Sequence, residues 1–471
     1  MKHIFTLFIC LLAIHGTANA RRVSGEVISE GKGLSKVIVT DGKSFTQTTA
    51  GGKFTFNIED DAEFVYIITP SGHVADWSKG SPEFYRKAAD TDFFSFNLQK
   101  MDGAEKEYNI IAVGDPQPRK TRHYEEFIGR PLDDITRTAD ALSSPTIGIV
   151  LGDICYDNLP LMTRWKEDIV RTGIPFYPSV GNHDHDRAFN DDKKSIHAYR
   201  SNFGPENYAF FIGKDLVIVL DNIIYHSRSG YDEGYTEEIV DWVRGLMKFV
   251  PKNADIFIAQ HSPMNGRCYR TKDYDINTVN CEKLLEVIGN HQITVLSGHN
   301  HMNGIFQYRD NVMEHNVAAI CGTWWDAYHC TDGTPRGYKV LTKKGKDLTW
   351  YYKAIDKGPD FQYEIFMPGT TKLHPEHLVV NIWDYDQKWK VEYFEDGKPM
   401  GAMTMVSEYS PIHTEEIETK HQGKEISTYK LTHLADHYFA AKPSADAKEI
   451  TVVITNRFGK IWKETIKLQA D

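Results

Sequence analysis

Five short polar clusters could do chemistry in this chain, and each closes an apolar run of strand length. Asp115 follows 110–113 within Gly114-Asp115-Pro116-Gln117, and Asp153 follows 147–151 within Gly152-Asp153-Ile154-Cys155-Tyr156-Asp157. Asn182 and His183 follow 176–180 within Gly181-Asn182-His183-Asp184. His261 follows 256–260, and His299 and His301 follow 295–297 within Gly298-His299-Asn300-His301. Singly, each has a plain reading. Gly-Asp-Pro is an ordinary turn. A histidine after a strand is usually a hydrogen-bonded packing residue, and in His-x-His on a strand the two rings point to opposite faces. Jointly, carboxylates, an amide and three imidazoles at strand ends of one domain suit a pair of borderline-soft cations.

Positioning such groups requires a particular scaffold. The runs at 110–113, 147–151, 216–220, 256–259 and 293–296 are continuously apolar, which predicts strands buried on both faces. Helix-like segments at 123–142, 237–249 and 279–288 alternate with them, so 104–345 is expected to be an α/β sandwich. In open α/β sheets the crevice beyond the strand carboxyl ends receives ligands, which lets groups scattered in sequence converge. The glycines Gly114, Gly152, Gly181 and Gly298, just before an acid, amide or histidine, permit a sharp turn and close approach. Residues 21–103 read as strand and turn: 37–40, 54–58 and 64–68 are β-rich, with Asp41-Gly42 and Gly51-Gly52 as hairpin turns. A small β-sandwich is expected there. Strands return at 348–352, 377–383, 389–393 and 450–455, predicting an all-β C-terminal domain over 346–471.

At 471 residues, two or three domains are expected. With 41% hydrophobic, 12% aromatic and 25% charged residues the chain can build cores, which excludes intrinsic disorder. A net charge of −11 argues against a nucleic-acid groove or an anionic membrane surface, both of which need a basic face. An anionic substrate stays compatible if bound cations supply local positive charge. Lys2, the apolar run 4–14 and Ala18-Asn19-Ala20 read as a signal peptide over 1–20, cleaved near Ala20. The expectation is a secreted or periplasmic protein with no transmembrane segment and no lipid anchor. In that oxidising setting Cys268–Cys281 and Cys321–Cys330 are candidate local disulfides, leaving Cys155 over.

The five blocks Gly114-Asp115-x-Gln117, Gly152-Asp153, Gly181-Asn182-His183-Asp184, His261 and Gly298-His299-x-His301 resemble, in order, the signature of the calcineurin-like metallophosphoesterases. The flanking β domains resemble the extensions of a secreted bacterial subgroup, and 23–54 resembles the transthyretin-like sandwiches that precede secreted enzymes. The resemblance implies a central αββα sandwich between two small all-β domains, and dimetal hydrolysis of phosphate mono- or diesters by a metal-bridging hydroxide. It implies that Asp153 bridges both ions, that Asp115 and His301 hold the first, and that Asn182, His261 and His299 hold the second. His183 would face the leaving-group oxygen, oriented by Asp157 or Asp184. The cofactors implied are two divalent or mixed-valence ions of Mn, Fe or Zn.

Gln117 departs from the common pattern, which has histidine there; an amide oxygen is a harder and weaker ligand. Gly152-Asp153-x-x-Tyr156 resembles the purple acid phosphatase block, so Tyr156 is either a metal ligand or a pocket wall. Trp324-Trp325 is either a stacking wall for a sugar or base or part of the core. His185, Arg267 and Arg270 are candidates for contacting a phosphorylated small molecule or phosphodiester. Three rival readings stand beside this one: a phosphoanhydride hydrolase, a glycan-binding surface protein with an inactive site, and a dimetal peptidase or amidase.

Overall fold

Strand Glu107–Val113 shows why its run is continuously apolar. Ile110 and Ala112 enter one buried core while Ile111 and Val113 enter another. The first core lies between two sheets, where Ile110 and Ile147 meet Leu216, Ile258 and Val295. The second lies under helix Thr121–Ala141, whose Tyr124, Phe127, Leu132 and Ile135 cover Val113 and Val150. On the far side, helices Glu237–Met247 and Cys281–Ile288 cover the second sheet with Val243, Leu246, Leu284 and Ile288. The result is the expected α/β sandwich. This computed structural model describes residues 20–265 and 275–468.

The first central sheet runs in the order Phe176–Pro178, Thr146–Val150, Glu107–Val113, Gly337–Lys344, Asp347–Ala354. The second runs Tyr208–Ile212, Asp215–Val219, Ile256–Ala259, Ile293–Ser297, Val312–Asn316, Gly304–Arg309. The strands that end in polar clusters are parallel neighbours in register, Val113 against Val150 and Ala259 against Leu296. Their carboxyl ends are therefore level within each sheet. Asp347–Ala354, grouped with the C-terminal region on sequence, pairs with Gly337–Lys344 along its whole length and completes the first central sheet.

The flanking units are mostly β. The N-terminal one stacks a sheet around Arg21–Ser29 on a sheet around Phe64–Ile68, as expected. In Arg21–Ser29 alternate residues are buried, as a one-sided sheet requires. The C-terminal one packs two four-stranded sheets over Leu378, Val380, Ile382, Phe439, Ile450 and Val452. It is not all-β: helix Pro411–His421 interrupts it, started by the Ser410 side chain accepting from the His413 amide, with proline in the first turn. Lys339 and Asp384 form a fully buried ion pair at 2.8 Å that joins this unit to the central sheet.

Cys321 and Cys330 do not form the expected bridge. Both are buried free thiols, and each sulfur lies 3.5 Å from a different main-chain oxygen, of Gly322 and Ala319 respectively. Cys155 and Cys281 are also free, whereas Cys268 lies outside the described residues. The leader at 1–19, Arg267 and Arg270 also lie outside them. No helix among the described residues is long and apolar enough to cross a membrane.

Candidate metal centre

Asp115 and Asp153 stand just past neighbouring parallel strands of one sheet, and His261 and His299 just past neighbouring strands of the other. The loops interlock: the Gly298 amide donates to the His261 carbonyl at 2.8 Å, and Gln117 to the Asp153 carbonyl at 3.0 Å. Asp115, Asp153 and His261, all buried, bring one ligand atom each to within 4.8 Å of one another. His261 Nε2 is 3.4 Å from Asp153 Oδ1 and 3.0 Å from Asn182 Oδ1, and His299 Nδ1 is 3.1 Å from the same nitrogen. His301 Nε2 is 3.6 Å from Asp115 Oδ1. The Gln117 side-chain amide donates to Asp153 Oδ2. All eight residues but Tyr156 are thus linked by contacts into one cluster.

The ring orientations follow from the outer partners. A carbonyl only accepts, so the bond from His261 Nδ1 to Leu151 O (2.7 Å) and that from His301 Nδ1 to Gly322 O (3.0 Å) place the hydrogens on Nδ1. Nε2 is then the atom each ring turns toward the carboxylates, and the one that would ligate a cation once any proton on it is displaced. Gln117 Oε1 and His301 Nε2 are buried without a hydrogen-bond partner among the described residues. Such atoms are costly to bury, and a bound cation would satisfy both. The donor set therefore fits metal.

The backbone carries strain at the same place. Asp115, Gln117, Asp153, His299 and His301 have φ of 47°, 41°, 51°, 71° and 52°, as do few residues other than glycine. Strain of that kind persists only where surrounding structure enforces it, and it concentrates at functional sites. Gly181 and Gly298 make the approach possible. A Cβ on Gly181 would sit 2.1 Å from the Asp153 amide nitrogen, and one on Gly298 would sit 2.6 Å from Asp115 Oδ2.

Comparison with known families decides what this centre belongs to. The calcineurin-like phosphoesterase model matches residues 108–303, and the models for the N-terminal and C-terminal parts of calcineurin-like phosphoesterases match 21–101 and 314–462. The chain belongs to the calcineurin-like phosphoesterases. This phosphoesterase is also similar to solved structures at low identity. A dimetal phosphatase from Danio rerio is 13% identical, with 52% of this chain and 98% of that one covered and a TM-score of 0.36. A 5'-nucleotidase from Candida albicans is 12% identical, covering 52% and 51%, at a TM-score of 0.33. A 5'-nucleotidase precursor from Thermus thermophilus is 10% identical, covering 53% and 54%, at 0.31. The phosphoesterase thus spans about half the length of either nucleotidase. No curated protein matches it.

Around the metal cluster, the phosphoesterase arranges its other polar groups unevenly. His183 Nδ1 lies 2.8 Å from Asp157 Oδ1, so Asp157 is the group that orients the ring. Asp184 instead accepts from the amides of Gly181, Ile154 and Cys155 and staples two metal-bearing loops together. Tyr156 stacks on His183 with centroids 3.9 Å apart, which makes it a wall beside that ring. Two substrate-contact expectations need correcting. His185 is 1% exposed, with Nδ1 bonded to Gly181 O and its ring stacked on Tyr225, so it supports the loop from behind. Trp325 is 5% exposed and its indole N–H donates to Pro116 O, so it is core. Trp324 is half-buried and stacks on His301 at 4.2 Å.

Sequence reasoning missed Glu233. Its carboxylate is 3.2 Å from His299 Nε2; burial opposes its ionisation, but the bond to and charge of His299, with Ser262 and His261, together lower its pKa. It closes hairpin Ile223–Ser227/Gly230–Glu233, where no motif marks it. Burial shapes the remaining charges. It pushes the Asp115 carboxyl up to about 8 and His301 down to about 3. For Asp153 burial opposes ionisation, but the positive rings of His261 and His183 prevail and hold it low. Burial also opposes charge on His261, yet Asp153 raises it to about 10. Protons thus occupy places where cations would bind.

Proposed function

We propose that this phosphoesterase hydrolyses phosphate mono- or diesters at a pair of cations, with Asp153 shared between them. Asp115, Gln117 and His301 would hold one ion; Asn182, His261 and His299 would hold the other. The observation that carries this reading is the convergence of Asp115, Asp153 and His261 at strand ends of both central sheets. Bound cations would supply charge stabilisation on the phosphoryl oxygens and lower the pKa of a water at the site. Water adds across the ester P–O bond, and the alcohol departs with a proton.

The protein's own part in that departure falls to His183. With Nδ1 engaged by Asp157, its Nε2 is the nitrogen left to donate to the leaving oxygen or to a phosphoryl oxygen. Asp157 fixes the ring, and Arg187, paired with the same carboxylate at 2.9 Å, also reaches Nδ1 at 3.2 Å. Gln117 offers a neutral amide where imidazole is usual, which makes the first site the weaker of the two. The leader pattern supports export.

The test is phosphate or alcohol release from 4-nitrophenyl phosphate and bis(4-nitrophenyl) phosphate by the full chain with Mn²⁺, Fe²⁺ or Zn²⁺. Release that stops on adding a chelator is expected for at least one ester. No release from either ester with any of the three metals would contradict the reading.

A further inference from the structure

The metal cluster draws only on the central domain, but one side of its mouth belongs to the C-terminal unit. Trp324 lies face to face with His301, their planes 20° apart. Tyr429 meets that indole edge-to-face, centroids 5.0 Å apart and planes at 79°. Tyr429 belongs to the 3-10 turn Thr428–Lys430, far from Trp324 in sequence, and the contact is pinned by Lys430 pairing with Asp326 at 2.6 Å.

The loop that carries Trp324 is clamped from the same side. His413 Nε2 is 2.9 Å from Thr323 Oγ1, and Glu416 receives both the His329 amide (3.0 Å) and its ring nitrogen (2.9 Å). Helix Pro411–His421 therefore fixes the loop on which Trp324 stands. Tyr429 is nevertheless 49% exposed. A large aromatic held in place yet half open to solvent contributes little to a core, and its open half is a surface offered to a ligand. Tyr156 stands nearby against His183.

We propose that Trp324 and Tyr429 form a stacking subsite for a planar ring on the alcohol portion of the substrate, so that the preferred substrates are phosphate monoesters of alcohols bearing an aromatic or heteroaromatic group. The inference rests on the phosphoesterase reading above. A phosphate held beside His301 has its ester oxygen within a side chain's length of Trp324, and a ring two or three bonds further out reaches the Tyr429 face. Two aromatic partners favour a flat apolar ring over a flexible polyol, because ring stacking gains most from a fixed π surface.

The test uses the full metal-loaded chain and two esters with alkyl leaving groups, 2-phenylethyl phosphate and ethyl phosphate. Wild type is expected to favour the first in kcat/KM. Tyr429→Ala should reduce that ratio about 3- to 10-fold, the usual worth of one aromatic contact, and Tyr429→Phe should keep it. Equal losses on both esters, or a Phe variant as impaired as the Ala variant, would overturn the subsite. A binding readout separates this from the parent reading: quenching of tryptophan fluorescence by phenylphosphonate against methylphosphonate. If wild type cleaves neither ester, the phosphoesterase reading is decided on the two 4-nitrophenyl esters and the subsite on binding alone. The subsite then stands if Tyr429→Ala loses the preference for phenylphosphonate, and falls if the preference is absent or unchanged.

Discussion

Replacing Asp153 by asparagine is expected to abolish phosphoester hydrolysis, by at least about 10³-fold in kcat/KM, while the fold persists. The side chains are nearly isosteric, so packing of the 1%-exposed group is kept. What changes is the charge. Asp153 Oδ1 accepts the His183 amide at 2.8 Å and stands 3.4 Å from His261 Nε2, while Oδ2 receives the Gln117 amide. Loss of an outer-shell partner typically costs about 10- to 100-fold, and loss of one preorganised charge-stabilising group costs about 10²- to 10³-fold. A group shared by two ions should exceed both. Steady-state kinetics on the variant, with circular dichroism to verify folding, checks this; residual activity within 10-fold of wild type would refute the role.

Loading the chain with metal is expected to raise its melting temperature by several degrees and to release protons. Without cations, Asp115, Asp153 and Asp184 crowd a buried site, and Asp184 too is pushed up to about 7, first by burial and then by Asp153. A ligand that binds only the folded state stabilises it by about 2.7 kcal/mol at a hundredfold excess over its Kd. The proton release has a definite sign. Asp115 and His261 have folded values raised to about 8 and about 10, so at pH 7 both carry protons that a cation must displace. Uptake should therefore acidify a weak buffer at pH 7, and affinity should fall as pH is lowered. Calorimetry at pH 7 in two buffers of different ionisation enthalpy measures it. No proton release and no shift in melting would count against the site.

Much of this was legible from the chain because buried strands leave a continuous apolar signature. Runs such as 110–113 are apolar at every position because alternate residues serve two different cores. The site was legible for a related reason: its donors lie in short clusters that follow those runs directly, four of the five opened by a glycine. Other features left no such trace. Helix Pro411–His421 buries only His413 and Ile417, so its period is invisible, and only Ser410-Pro411 marks its start. The sheet to which Asp347–Ala354 belongs is a matter of long-range pairing, and a strand's sequence does not name its partner. Glu233 acts through His299 from a hairpin, and an outer-shell carboxylate needs no motif. The same limit separates Trp324 from Trp325: adjacent residues, both at positive φ, turn one ring to His301 and the other into the core.

Metal content measured on the purified chain tests the central claim most directly. After equilibrium dialysis against Mn²⁺, the metal held in excess of the dialysate, read by inductively coupled plasma mass spectrometry, should be two equivalents per wild-type chain and fewer than one in Asp153→Asn. A wild-type chain that retains no metal, or an Asp153→Asn chain that retains the same two equivalents, would contradict the account.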